Sequence, residues 1–295
     1  MKNKKIKKPI AKKLEILCSA AKRLKEASVA YKAHYQCTKL HANIIKDLDA
    51  NYDLLLKILN AEVEDMPGII KDHDEKLYKH CKNVAELVKE MVKIIDINES
   101  EGKAIYEGAL IHDLGKLFTN AYNNKIKLNG CEKAKHVIIN DLLMYLRDDN
   151  NQSHYRSIEE EKKNEILRNI MAFHHQRPNI EHELCYPFVI NPISHQISPY
   201  EIIQPADTYD AMHNRGGYQK IYSNDEIIEH LIKNARDLYA VEPIDALLKV
   251  LGKENIDYCR ELQKIAEERF KKERKITFVE VVEAFRNLSC ASCAL

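Results

Sequence analysis

Apolar residues return along this chain every three or four positions over most of its length. Leu14, Leu17, Ala21 and Leu24 form one such stripe, and Ile45, Leu48, Tyr52, Leu55 and Leu59 form another. That period matches the turn of an α-helix, not the alternation of a strand. Residues 9–64 therefore read as two long helices, paired as an antiparallel hairpin or serving as a dimerisation element. Met66-Pro67-Gly68 interrupts the pattern, and because Pro and Gly together stop a helix a boundary is expected there. From 74 to 221 the helical segments are shorter. The stretch 176–200 holds Pro178, Pro187, Pro192 and Pro199, too many for a continuous helix. Glu201–Met212 returns to helix, with Pro205 tolerated in its first turn or as a kink. Residues 224–289 alternate helical segments with breaks at Pro243 and Gly252. No alternating run of strand length and no internal repeat stands out, so the expected fold class is all-α. The expected organisation is an N-terminal helical region at 1–65, a central domain at 66–252 and a C-terminal helical extension at 253–295.

Composition narrows the function. The chain has 295 residues with 13 histidines and only 8 glycines, where average usage would give about 20 glycines. Few turns can then need positive φ, which agrees with a helical chain. Lys+Arg 46 against Asp+Glu 45 leaves a net charge of +1. That excludes the basic field of a general nucleic-acid binder, so no duplex nucleic acid is expected as partner. No run of about 18 uncharged apolar residues occurs, so no membrane span is expected. Met1 to Lys13 is lysine-rich with no apolar stretch after it, unlike a secretory signal. The 8 cysteines have no regular spacing, and a reducing cytoplasm is the expected location. Cys290-x-x-Cys293 has no second pair nearby and reads as part of a frayed tail, not as a zinc site.

The histidines divide into two groups. His112-Asp113 follows the helix Lys103–Ile111. His80 shares the apolar face of Leu77, Val84 and Leu87, and His136 shares that of Ile139 and Leu143. His174-His175 ends a helix whose inner face is Ile166, Ile170 and Phe173. Asp207 lies one turn from both Ile203 and Ala211, again facing inward. One inward histidine is more often a hydrogen-bonded core residue than a ligand. An inward carboxylate is costly unless it is paired or bound to metal. Five such histidines and two such carboxylates in one helical segment are hard to satisfy pairwise. A shared pair of cations satisfies them all, and imidazole with carboxylate suits Fe, Mn, Zn or Ni. His34, His41, His73, His154, His182, His195, His213 and His230 have no comparable company and read as ordinary surface or core residues.

His80, then His112-Asp113, and later Asp207 resemble, in that order, the HD-domain metal-dependent phosphohydrolases. The additional His136 and His174-His175 resemble the HD-GYP branch of that family. So do His-Asp-Leu-Gly-Lys at 112–116, Ala-Asp-Thr-Tyr-Asp-Ala-Met followed by Arg215 and Tyr218, and Val-Glu-Pro-Ile-Asp-Ala-Leu-Leu-Lys-Val-Leu at 241–251. The resemblance covers about 74–252. It implies an HD-type helical bundle with a binuclear site in its core. His80, His112 and Asp207 would hold one divalent cation, and His136, His174 and His175 the other. Asp113 would bridge them. Asp113 and Lys116 would be the catalytic residues, with Lys116, Arg215 and Tyr218 on the substrate. The implied ions are Fe or Mn, with Zn, Ni or Mg as alternatives. The implied substrate is a cyclic dinucleotide, cyclic di-GMP.

Two departures from that branch bear on the chemistry. Its Gly-Tyr-Pro loop normally follows the double histidine after a short Glu-Arg-x-Asp-Gly stretch. Here Gln176-Arg177-Pro178-Asn179 follows instead, and the later Tyr186-Pro187 is preceded by Cys185. Some members also carry a glutamate one turn before the first histidine for a third ion. Lys76 stands there, so two ions are expected. The alternatives are an HD-type hydrolase of other nucleotides and a signalling module that binds its ligand without turnover.

Overall fold

A computed structural model describes residues 4–30, 38–119, 130–150, 157–175, 197–214, 220–235, 238–253, 257–258 and 260–265. Every regular element among them is helical, as the apolar period predicts. In chain order they are α1 (Lys4–Ala30), α2 (Thr38–Ala50), α3 (Tyr52–Leu59), a 3-10 turn (Val63–Asp65), α4 (Met66–His73), α5 (Glu75–Ile94), α6 (Glu99–Ile111), a second 3-10 turn (Leu114–Phe118), α7 (Gly130–Asn150), α8 (Ile158–Phe173), α9 (Pro199–Asn214), α10 (Asn224–Lys233) and α11 (Val241–Val250). None of the described helices is long and apolar enough to cross a membrane.

The N-terminal region differs from expectation in two details. Its second helix is broken. Asn51 leaves helical geometry at φ −112° and ψ 35°, separating α2 from α3, and its side-chain amide donates to the Asp47 carbonyl at 2.9 Å. An asparagine that competes for backbone partners in this way favours a break. The buried face of α1 is also rotated. Ile16, Ala20 and Leu24 are buried, whereas Leu14 is 58% exposed. The expected 3-4-3 stripe suits one partner helix, but α1 packs on both α2 and α7 and buries an i, i+4 row.

Met66-Pro67-Gly68 starts a helix instead of stopping one. Pro67 lies in the first turn of α4, where a missing N–H costs nothing. Pro205 lies well inside α9, beyond the first turn. Capping residues fix the helices that matter for the site. The Asp74 carboxylate accepts from Leu77 N to start α5, Asn98 does the same for α6, and Ser157 with Glu160 forms a capping box on α8.

The apolar interior has two parts. One gathers Leu24, Ile44, Leu48 and Leu55 from the N-terminal helices with Ile111, Ile138, Leu142 and Met171. The core therefore runs across residues 65 and 66 without interruption. The other gathers Val84, Val88 and Met91 of α5 with Ile105, Ile203, Ile227, Leu231 and Leu247. Residues from α5, α6 and α8 contribute to both parts.

Candidate metal centre

Five elements deliver the histidines and acids. His80 lies in the second turn of α5, and His112 and Asp113 directly follow α6. His136 lies in α7, His174 and His175 directly follow α8, and Asp207 lies in the middle of α9. Helix ends free a residue from the i, i+4 ladder, so adjacent side chains such as His112 and Asp113 can turn towards one point.

The donors fall into two groups. In one, His80, His112 and Asp207 each offer an atom within 4.8 Å of the others. In the other, Asp113, His136, His174 and His175 do the same. The Asp113 carboxylate lies between them and turns one oxygen to each. Its Oδ2 is 3.5 Å from His80 Nε2 and 3.4 Å from His112 Nε2. Its Oδ1 is 3.4 Å from His136 Nε2 and 3.5 Å from His174 Nε2. Asp207 Oδ1 closes the first group, 3.0 Å from His80 Nε2 and 3.8 Å from His112 Nε2.

The opposite ring nitrogens are committed elsewhere. His112 Nδ1 is 2.8 Å from the Ala109 carbonyl, and His174 Nδ1 is 3.0 Å from the Ile170 carbonyl. His80 Nδ1 is 2.7 Å from Asp210 Oδ2. All three partners are acceptors, so in each neutral ring Nδ1 donates and Nε2 keeps its lone pair. Those lone pairs converge. His112 Nε2, His174 Nε2 and Asp113 Oδ1 are buried without a hydrogen-bond partner. Such atoms are costly in a protein interior. Imidazole nitrogens and carboxylate oxygens converging in this way fit divalent metal ions.

Electrostatics separate the two groups. Burial opposes a charge on His80, but Asp113, Asp207 and Asp210 together hold its pKa well above the usual 6.5. His112 is also held well above that value despite burial, chiefly by Asp113. Burial likewise opposes ionisation of Asp113 and Asp207. Lys116 and His112 nevertheless keep Asp113 far below the usual carboxylate range, and His112 and His80 do so for Asp207. On the other side, burial lowers His174. Burial and the neighbouring His174 and His136 lower His175 well below 6.5. His80 and His112 thus favour the protonated ring, and His174 and His175 the neutral one.

The structure brings together His80, His112, Asp113, His136, His174, His175 and Asp207. Lys116 reaches the same point through the second 3-10 turn, and its ammonium pairs with Asp113 Oδ2. Arg215 and Tyr218 lie outside the described residues, as do the Gln176-to-Pro187 stretch and the C-terminal cysteines. Three polar residues at the site have no role in the sequence reading, although Asp210 falls within the Ala-Asp-Thr-Tyr-Asp-Ala-Met stretch. Asp210 holds His80. Asn83 Nδ2 donates to Asp210 Oδ1 at 2.8 Å. Asn140 accepts from Gly115 N at 2.6 Å and donates to the carbonyls of His112 and Met171. Each sits one turn after a candidate ligand: Asn83 after His80, Asn140 after His136 and Asp210 after Asp207. That i, i+3 or i+4 spacing was the available signal.

Residues 77–212 match the family model described as the HD domain. The matched stretch contains all seven candidate ligands and Lys116. It supports the HD superfamily, whose members are generally metal-dependent phosphohydrolases that bind divalent ions. No match was found among curated proteins.

Proposed function

We propose that this chain is a binuclear metal-dependent phosphodiesterase that hydrolyses a cyclic dinucleotide, cyclic di-GMP. The observation that carries the binuclear reading is the Asp113 carboxylate, which faces one histidine group with each oxygen. His80, His112 and Asp207 would hold one ion, and His136, His174 and His175 the other. A pair of divalent cations supplies an acidified water and neutralises the oxygens of a phosphoryl group.

The chain's own groups would do the rest. Neutral imidazoles add no negative charge, so an anionic substrate is not repelled. Lys116, paired with Asp113 Oδ2, can exchange that contact for a phosphate oxygen and act as a point charge. Arg215 and Tyr218 would extend the substrate contact. The cyclic dinucleotide itself rests on the sequence motifs: the extra His136 and His174-His175, His-Asp-Leu-Gly-Lys, and the Asp207-to-Met212 helix. Gln176-Arg177-Pro178-Asn179 favours a second reading, hydrolysis of another nucleotide, because the expected Asp-Gly is missing there.

One assay separates the readings. The purified chain is loaded with Mn²⁺ or Fe²⁺ and incubated with cyclic di-GMP, other cyclic dinucleotides and mononucleotides, and the products are resolved. Turnover of cyclic di-GMP is expected. His112→Ala with Asp113→Ala should abolish it together with cation uptake. Turnover of mononucleotides alone would support the second reading. Binding without product would leave a ligand-binding module.

A further inference from the structure

Asp207 and Asp210 lie three residues apart on α9 and grip the two sides of one imidazole. Asp207 Oδ1 is 3.0 Å from His80 Nε2, and Asp210 Oδ2 is 2.7 Å from His80 Nδ1. The backing differs from that of His112 and His174, whose Nδ1 atoms meet backbone carbonyls. A carboxylate partner is anionic, so it makes the imidazole a stronger donor than a carbonyl does.

Asp210 is itself held in place. Its Oδ1 accepts from Asn83 Nδ2 at 2.8 Å and from Asn214 Nδ2 at 2.6 Å. Asn83 comes from α5, the helix that carries His80, and Asn214 ends α9. The carboxylate is buried at 4% exposure, with both oxygens engaged. It cannot rotate away without breaking bonds on two helices. A buried acceptor fixed in this way sets the tautomer of the neutral His80 ring, the form that takes a cation, so that its Nε2 lone pair points towards Asp113 and Asp207.

We propose that Asp210 is a positioning residue that tunes the His80, His112 and Asp207 group for a divalent cation and leaves the other group unaffected. The inference rests on the binuclear reading above. It adds that the charged backing of His80 by Asp210 sets the affinity of that group.

The test is calorimetric titration of the full chain, stripped of metal, with Mn²⁺, alongside thermal melting of the cation-free proteins. Asp210→Asn keeps the shape and removes the charge. It should weaken one of two Mn²⁺ equivalents by about 10- to 100-fold and leave the other unchanged. His175→Ala should weaken the other equivalent, so that combining the two changes weakens both. Asn214→Ala, at an exposed helix end, removes one donor to Asp210 and should weaken the same equivalent by a smaller factor. The proposal stands if either Asp210→Asn or Asn214→Ala weakens one equivalent selectively while the cation-free melting midpoint stays at the wild-type value. It is overturned if neither does. Failure of the wild-type chain to take up any Mn²⁺ would instead defeat the binuclear reading itself.

Discussion

The Gly115 amide donates to Asn140 Oδ1 at 2.6 Å, tying the turn after His112-Asp113 to the helix that carries His136. The approach is too close for any side chain. A Cβ at residue 115 would lie 2.2 Å from the His136 carbonyl and 2.9 Å from Asn140 Oδ1. Backbone cannot yield as a flexible side chain can, so Gly115→Ala must push α7 away from the turn. The expected cost is about 1–3 kcal/mol, with weaker cation binding by the group that contains His136. Gly68→Ala is the matched control, because nothing lies within 4 Å of its added Cβ. In a helix that exchange should be neutral or stabilising by up to about 1 kcal/mol. Urea unfolding of the two proteins decides the matter, and equal stability would remove the steric argument.

The two histidine groups predict a bell-shaped stability for the cation-free chain. His80 and His112 have raised pKa values, so their stabilising contribution is complete below 6.5 and is lost as pH climbs above it. His174 and His175 have lowered values, so their contribution is complete above 6.5 and is lost as pH falls below it. Asp113 and Asp207 are depressed and lose theirs only in stronger acid. Stability from the site should therefore peak near pH 6.5 when metal is chelated. Bound cations compete with protons for His80 and His112, so apparent Mn²⁺ affinity should rise with pH and carry the stability maximum upward. Denaturation at pH 5.5, 6.5 and 8, with chelator and with Mn²⁺, measures both. A maximum that stays fixed when Mn²⁺ is added would contradict proton competition.

The helical fold and the inward histidines were legible because both follow from one period. An imidazole three or four residues from Leu77, Val84 or Ile139 has one face available, and that face is buried. The grouping of the ligands came from resemblance, since spacing alone does not say which helix ends meet. Asn83, Asn140 and Asp210 have no role in the sequence reading because a polar residue one turn from a ligand looks the same in sequence whether it faces the site or solvent. The stripe on α1 was misread for a related reason. Leu14 and Ile16 are both apolar, and only the presence of two partner helices selects Ile16.

Those two partners make α1 part of the structure that supports the site. Arg23 Nη2 reaches both oxygens of Asp141 on α7, at 3.3 and 3.2 Å, and the Asp141 side chain is only 6% exposed. The guanidinium also lies 5.2 Å from the centre of the Tyr145 ring. Lys135, next to His136, pairs with Asp47 on α2. Truncating Arg23 to Met would leave Asp141 charged and buried on the helix that bears His136. An ion pair with one partner 23% exposed is worth less than a fully buried one, so a loss of about 1–3 kcal/mol is expected. Replacing both residues by Met removes the stranded charge and should recover most of that loss. If α1 instead unfolds separately from the helices of the site, Arg23→Met will leave the main unfolding midpoint where it was. Urea titrations of the two single variants and the double variant, read by circular dichroism and by Mn²⁺ uptake, distinguish these outcomes. A shared midpoint that falls for Arg23→Met and returns for the double variant would establish that the N-terminal helix and the metal-bearing α7 unfold together.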